Sequence, residues 1–186
     1  MSDGRQAPRE ELLRALEQSP ARDLVVIGGG ATGLGVALDA AARGLSVALV
    51  EAEDFAKGTS SRATKLVHGG VRYLGQGNLA LVREALRERA ILLRNAPHLA
   101  QPLPFLLPLY GARGRWLDSW FYGAGLVLYD LLAGERRLER TQFLGAAEAV
   151  RAAPGLQTNA LVGAVRYWDG QFDDARLAVA LARTAI

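Results

Sequence analysis

At 186 residues, half of them hydrophobic, the chain can bury the core of one domain or of one and a fraction, and it is too apolar to be disordered over most of its length. Its formal charge of +3 is carried by Arg residues scattered among acids, with Lys57 and Lys65 the only lysines and Arg136, Arg137 and Arg140 a short local cluster, so the basic face of a nucleic-acid binder is missing. The lack of cysteine excludes disulfides, zinc thiolates and Cys nucleophiles and fits a reducing compartment, and the charged N-terminal stretch has no apolar core of a secretion signal.

Residues 11–18, ELLRALEQ, predict a short helix closed by Ser19 and Pro20, a preamble over 1–20. DLVVIGGG then reads as a buried parallel strand that stops in a tight turn. From Ala31 to Arg43 the small residues Ala37, Ala40, Ala41 and Ala42, with Val36 and Leu38, suit a helix lying close on a sheet, and Gly44 ends it. LSVALVE supplies a second buried strand, which completes a βαβ unit.

Gly28, Gly30 and Gly33 form G-x-G-x-x-G between that strand and helix, and Glu51 closes the second strand 18 positions after Gly33. Gly28 suits the tight turn, Gly30 lets backbone approach a pyrophosphate, and Gly33 permits close helix–strand packing. The helix N-terminus, with Ala31 and Thr32 in its first turn, offers N–H groups and a dipole to an anion. Glu51, with Ala52 beside it, suits the hydroxyls of an unphosphorylated ribose. The segment after it, GTSSRATKLVHGGVRYL from Gly58 to Leu74, shows no obvious strand before Leu66, which favours FAD over NAD. It interleaves Thr59, Ser60, Ser61, Arg62, Lys65, His68 and Arg72 with residues able to pack, as backbone laid against a polar ligand would require.

Leu79, Val82, Leu86, Ala90 and Leu93 predict a helix capped by Asn78 and ended by Pro97. PHLAQPLPFLLPLY, with four prolines, predicts extended or edge-strand structure. RWLDSWFYGAGLVLYDLLAG reads as a packed or interfacial helix, with buried core preferred, because Asp118 and Asp130 leave its apolar run too short to span a bilayer. LVGAVRYWDGQFDDARLAVALARTAI reads as a strand, a turn at Asp169-Gly170, and a helix capped by Asp173 or Asp174. Trp168 and the aromatics from Trp116 to Tyr129 read as core.

VVIGGGATGLGVALDAAARGLSVALVEAEDFAKGTSSRATKLVHGGVRYL, followed by the long helix, APHL and YWDGQFDDARL, closely resembles the FAD-dependent glycerol-3-phosphate dehydrogenases of the D-amino-acid-oxidase-like flavoprotein superfamily. The block from Gly58 carries the resemblance more specifically than the glycine fingerprint does. The resemblance implies an α/β, Rossmann-like FAD-binding domain over 21–96, the beginning of a substrate region over 97–165 and a return to the FAD domain over 166–186. It implies that the chain is an N-terminal fragment, catalytically incomplete by itself. It places Thr59, Ser60 and Ser61 at the FAD pyrophosphate and flavin edge, runs Lys65, Leu66, His68, Gly69 and Gly70 past the flavin ring, and assigns Arg72, Tyr73 and His68 to the catalytic set. No metal is expected, and the catalytic base is not assigned.

The reaction implied is oxidation of sn-glycerol 3-phosphate to dihydroxyacetone phosphate, with electrons passed to a quinone. It would take place in the cytoplasm or peripherally on the cytoplasmic face of the inner membrane, in a protein able to form a homodimer. A glycerol-3-phosphate oxidase using oxygen, or another flavin oxidase of the superfamily, shares these motifs. On the residues alone, Ser60 and Ser61 also suit a turn, His68 a packed core, Arg72 a local ion pair, and Asp173 and Asp174 helix caps. A charge-assisted contact of a guanidinium to phosphate contributes about 1.5–3 kcal/mol, so Arg72→Ala in the full-length protein should lower kcat/KM about 10- to 100-fold with FAD content unchanged. Steady-state kinetics on glycerol 3-phosphate and on glycerol check this, since equal losses on both substrates would detach Arg72 from the phosphate.

Overall fold

In the computed structural model, residues 8–19, 21–111 and 116–185 are described, without the side chains of Arg72 and of 116–122. The elements run α1 (Arg9–Glu17), β1 (Leu24–Ile27), α2 (Ala31–Ala42), β2 (Val47–Val50), β3 (Leu66–Val67), α3 (Leu79–Asn95) and β4 (Ala100–Tyr110). They continue as α4 (Trp116–Ala133), β5 (Gln142–Gly145), α5 (Ala146–Ala152), β6 (Leu161–Phe172) and α6 (Asp174–Thr184). Contacts divide the chain into two compact units, Met1–Ala63 with Asp174–Ile186, and Thr64–Asp173.

The first unit contains the predicted βαβ, but its strands are not the buried ones expected: Ile27 is 86% exposed, because among the described residues β1 and β2 pair only with each other. β1 and β2 pair in parallel from Leu24↔Val47 to Ile27↔Val50. Their starts are stapled by Asp23, whose Oδ2 accepts from the Ser46 N–H at 2.8 Å and hydroxyl at 2.6 Å, while the Asp23 N–H donates back to Ser46 Oγ at 3.0 Å. Those bonds hold the Asp23 carboxyl below the usual carboxylate range. α2 buries Leu34, Ala37 and Ala40, and after it Gly44 takes a left-handed φ of 81°, the conformation a side chain would resist. The last helix, α6, supplies Ala178 and Ala182 to a core with Leu34 and Ala56, flanked by Leu49 and Leu181. Small side chains on both helices permit that approach, and each buried methyl adds about 0.8 kcal/mol. α1 buries no residue.

The second unit is an antiparallel sheet built around β6. β4 lines one side of it from Ala100↔Phe172 to Tyr110↔Leu161, with an irregularity after Leu109, while β3 and β5 pair with its other side. β4 ends the described sheet, so Pro102, Pro104 and Pro108, at positions of one parity, cost it no interior ladder bond. α3 starts where predicted, with Asn78 Oδ1 accepting from the Leu81 N–H at 3.1 Å. α3 and α4 share a core of Val82, Leu86, Tyr129 and Ala133, which Val71, Leu74 and Leu132 flank. Over its described side chains α4 is therefore a packed helix, although Leu131 stands 69% exposed.

The turn expected at Asp169-Gly170 does not form, because β6 runs straight through it to Phe172. Asp169 is 3% exposed and accepts from Arg89 Nη1 at 2.9 Å. Gly170 sits opposite Val67, where an added Cβ would lie 2.5 Å from Val67 Cγ1 and 2.7 Å from its carbonyl oxygen. The pair thus records a buried charge and a close backbone approach, not a reversal. Removing one partner of a buried ion pair strands the other, so Asp169→Ala should lower unfolding free energy by about 3–5 kcal/mol, and Arg89→Met/Asp169→Leu should recover much of that loss. Urea unfolding of the three forms checks both values.

Candidate functional site

In the first unit the three glycines of the motif meet different surroundings. Gly28 has a φ of 108°, and its N–H donates to the Val50 carbonyl at 2.8 Å, fastening the turn to β2. A Cβ on Gly33 would collide with the Gly28 carbonyl, so this residue sets how closely α2 approaches β1. Gly30 is the opposite case: a Cβ there would meet only Ser60 Oγ, at 3.2 Å, because the residue borders open space.

That space is a cavity of about 430 Å³ lined by Gly30, Glu51, Lys57, Thr59, Ser60 and Arg62 among others. Ser60, half-buried in a 3₁₀ turn over Thr59–Ser61, accepts the Ala31 N–H at 2.9 Å and so caps α2 across 29 positions of sequence. Glu51 takes the Gly29 N–H on Oε2 at 2.6 Å and the Glu53 N–H on Oε1 at 3.0 Å, which ties the end of β2 to the turn and leaves each oxygen a lone pair for another donor. Ala31, Thr32 and Thr59 are exposed, Ser61 is half-buried, and Ala52 is exposed at the edge of the site. Lys57 is ion-paired with Glu53.

Gly29 was not singled out in the sequence, yet its Cβ would lie 2.5 Å from the Phe55 ring. The third consecutive glycine was the available signal. Ala56 contributes a further constraint, with a φ of 57° and its N–H donated to the Gly29 carbonyl at 2.9 Å.

The other predicted residues lie in the second unit. Lys65 is left-handed, with φ 62°, and its carbonyl accepts from the Phe172 N–H at 2.9 Å, while Leu66 pairs with Gln171. His68 is exposed rather than a core residue, and its Nδ1 accepts the Gly70 N–H at 3.1 Å. In the neutral ring this leaves the proton on Nε2, so the outer nitrogen is a donor. Gly70 is left-handed at φ 71° and opens a 3₁₀ turn over Val71–Tyr73, in which Tyr73 is 39% exposed and Arg72 has its backbone described. Asp174, back in the first unit, starts α6 with Oδ1 on the Ala175 N–H at 2.8 Å and Oδ2 on the Ala63 N–H at 3.2 Å, a helix-end role.

Beneath Gly69 lies a polar network that sequence reasoning missed. The buried Gly69 donates its N–H to Tyr129 Oη at 2.7 Å, Tyr129 donates to Asp169 Oδ2 at 2.8 Å, and Asp169 Oδ1 holds Arg89. Arg89, 2% exposed, also reaches the Trp168 and Arg136 carbonyls at 3.4 Å each. A Cβ on Gly69 would strike the Tyr129 hydroxyl and lie 2.5 Å from Leu86 Cδ2, so packing alone requires this glycine. The signal was present but faint: Arg89 falls three positions after Leu86 on the same buried helix face as Val82.

Residues 23–186 match the profile of the DAO family, described as FAD dependent oxidoreductase. The chain is 50% identical over 184 residues to the mitochondrial glycerol-3-phosphate dehydrogenase of Mus musculus, an alignment covering 95% of this chain and 25% of that protein. It is 53% identical over 164 residues to the glycerol-3-phosphate dehydrogenase of Mycobacterium leprae, covering 88% of this chain and 28% of that one. The crystal structure of the Bacillus halodurans glycerol-3-phosphate dehydrogenase complexed with FAD superposes with a TM-score of 0.65 at 33% identity, over 95% of this chain and 27% of the other. The chain therefore spans about a quarter of the length of the curated relatives it matches.

Burial, and secondarily the Asp169 carboxylate, hold the Tyr129 phenol far above its ordinary value, and the same two causes raise Tyr167. The unfolded chain releases the Tyr129 proton near pH 10 while the folded chain keeps it, so stability is fully present below that pH and declines above it. The decline contributed by one such group is about 1.4 kcal/mol per pH unit. Urea midpoints measured from about pH 9 to about pH 11 should fall in the wild type and fall less steeply, by one proton, in Tyr129→Phe.

Proposed function

Because the chain belongs to the FAD dependent oxidoreductase family, we propose that it forms the FAD-binding front of an enzyme that oxidises sn-glycerol 3-phosphate to dihydroxyacetone phosphate and passes the electrons to a quinone. The observation that carries the reading is the cavity bordered by Gly30, Glu51 and Ser60, where Gly30 and Ser60 lie so close that a Cβ on Gly30 would stand 3.2 Å from Ser60 Oγ. Its donor set fits a dinucleotide. The first turn of α2 directs N–H groups and the positive end of its dipole at a diphosphate, with the Thr59 and Ser60 hydroxyls and the Lys57 and Arg62 cations around it. Glu51, already fixed by two backbone N–H groups, keeps acceptor capacity for ribose hydroxyls and repels a 2′-phosphate.

FAD, when bound, supplies the two-electron acceptor, and the protein supplies orientation and electrostatics. In the segment from Lys65 to Tyr73, the backbone of His68 to Gly70 is fixed by the core below it, and the His68 Nε2–H is available to donate to a substrate oxygen. A neutral His68 in this form cannot take a proton at Nε2, so it serves as a hydrogen-bond donor and electrostatic group rather than as the base. Arg72, on the 3₁₀ turn that follows, supplies the cation for the phosphate. A quinone as acceptor implies work at a membrane surface, since quinones partition into lipid. The described residues include no helix long and apolar enough to cross a bilayer.

Reconstitution with FAD should give a yellow protein that prefers FAD to NADP. Gly30→Val should abolish flavin binding without unfolding the chain, because the side chain crowds Ser60 at the cavity rim and not the core. Flavin absorbance after gel filtration, with circular dichroism as the fold control, reads both. A colourless wild type, or equal retention by the variant, would remove the cavity from the cofactor's path. For the acceptor, peroxide production by the full-length protein in place of quinone reduction would move the reading to an oxidase.

A further inference from the structure

The buried network under Gly69 has a fixed direction. Arg89 can only donate and the Asp169 carboxylate can only accept, so the Tyr129 proton must point at Asp169 Oδ2, leaving a Tyr129 lone pair to receive the Gly69 N–H. Because the His68–Gly69 peptide is planar and trans, drawing its N–H inward turns the His68 carbonyl to the opposite side. The next amide, on left-handed Gly70, then meets His68 Nδ1. We propose that Tyr129, polarised by the Asp169–Arg89 ion pair, is a positioning residue that sets the His68–Gly70 backbone and thereby the imidazole form in which Nε2 carries the proton.

Three observations on separate elements support this. Tyr129 from α4 is 1% exposed and Arg89 from α3 is 2% exposed, and both turn their polar ends onto Asp169. Gly69 has no room for a Cβ beside the Tyr129 hydroxyl, so the turn and the hydroxyl fit only together. Asp169, 3% exposed in β6, gives both oxygens to this network. The significance for catalysis rests on the proposed function, in which this turn runs along the flavin. There the network would decide that His68 presents a donor rather than a lone pair.

The test uses flavin-free protein labelled with 15N. Only two imidazoles are present, His68 and His98, and the exposed His98 serves as an internal reference. At a pH where both rings are neutral, His68 should show an excess of the Nε2–H form over His98, and the Gly69 amide should exchange slowly. In Tyr129→Phe the Gly69 and Gly70 amides should both exchange at least about tenfold faster than any general loosening of α3 accounts for, and the His68 excess should disappear. A role in packing alone would accelerate Gly69 and α3 together and leave Gly70 and the His68 ring unchanged, and that result overturns the proposal. Should Tyr129→Phe not fold, the wild type decides by itself, since an unprotected Gly69 amide or a His68 ring no different from His98 also overturns it. Flavin titration of the same samples keeps the two readings apart: loss of FAD binding with the exchange pattern intact removes the cofactor assignment, not the positioning role.

Discussion

The second unit depends on one buried ion pair. Arg89 on α3 and Asp169 on β6 meet at 2.9 Å in a region almost free of solvent, and each would be strongly destabilising without the other. An apolar pair could hold α3 against the sheet as well or better in energy alone. What the charged pair adds is direction, because a carboxylate with one oxygen on a guanidinium can only accept with the other. It therefore orders Tyr129 and, through Tyr129, the backbone of Gly69. Three elements far apart in sequence are thereby brought to bear on one exposed turn.

The first unit is organised by a different device with similar economy of parts. Gly28 fastens the turn to β2, Gly29 donates to Glu51, and Ala31 donates to Ser60, so three backbone N–H groups around the turn are secured by groups from later in the chain. Each attachment uses one hydrogen bond and leaves the cavity side of Gly30 clear. A ligand entering there meets a site whose backbone is already arranged. A backbone held in place beforehand loses little freedom on binding.

The contrast between Gly30 and Gly69 explains why glycine positions carry different meanings within one motif-rich segment. A Cβ on Gly30 would press on Ser60 Oγ at 3.2 Å beside the cavity, while one on Gly69 would strike the Tyr129 hydroxyl and the Leu86 side chain. Both are required, but substitution at the first should cost binding and at the second should cost fold. Sequence spacing marks both as glycines and cannot separate these reasons.

What the sequence determined by itself were the local and periodic features. β-branched runs gave β1 and β2, small residues gave the face of α2, Asn78 gave the start of α3, and the prolines gave an edge strand in β4, because each follows from the conformational preference of a few adjacent residues. The glycine fingerprint with Glu51 and the block from Gly58 were legible as a pattern shared across a family. The tertiary structure alone decided the rest. Asp169-Gly170 carries the local signature of a turn, but pairing with Val67 and Pro102 and the charge of Arg89 hold it in β6. Ser60 caps a helix 29 positions away, and Tyr129 reaches Gly69 across 60. A buried charge shows its partner only when the chain has folded, since the desolvation that makes the pairing obligatory does not exist in the unfolded sequence.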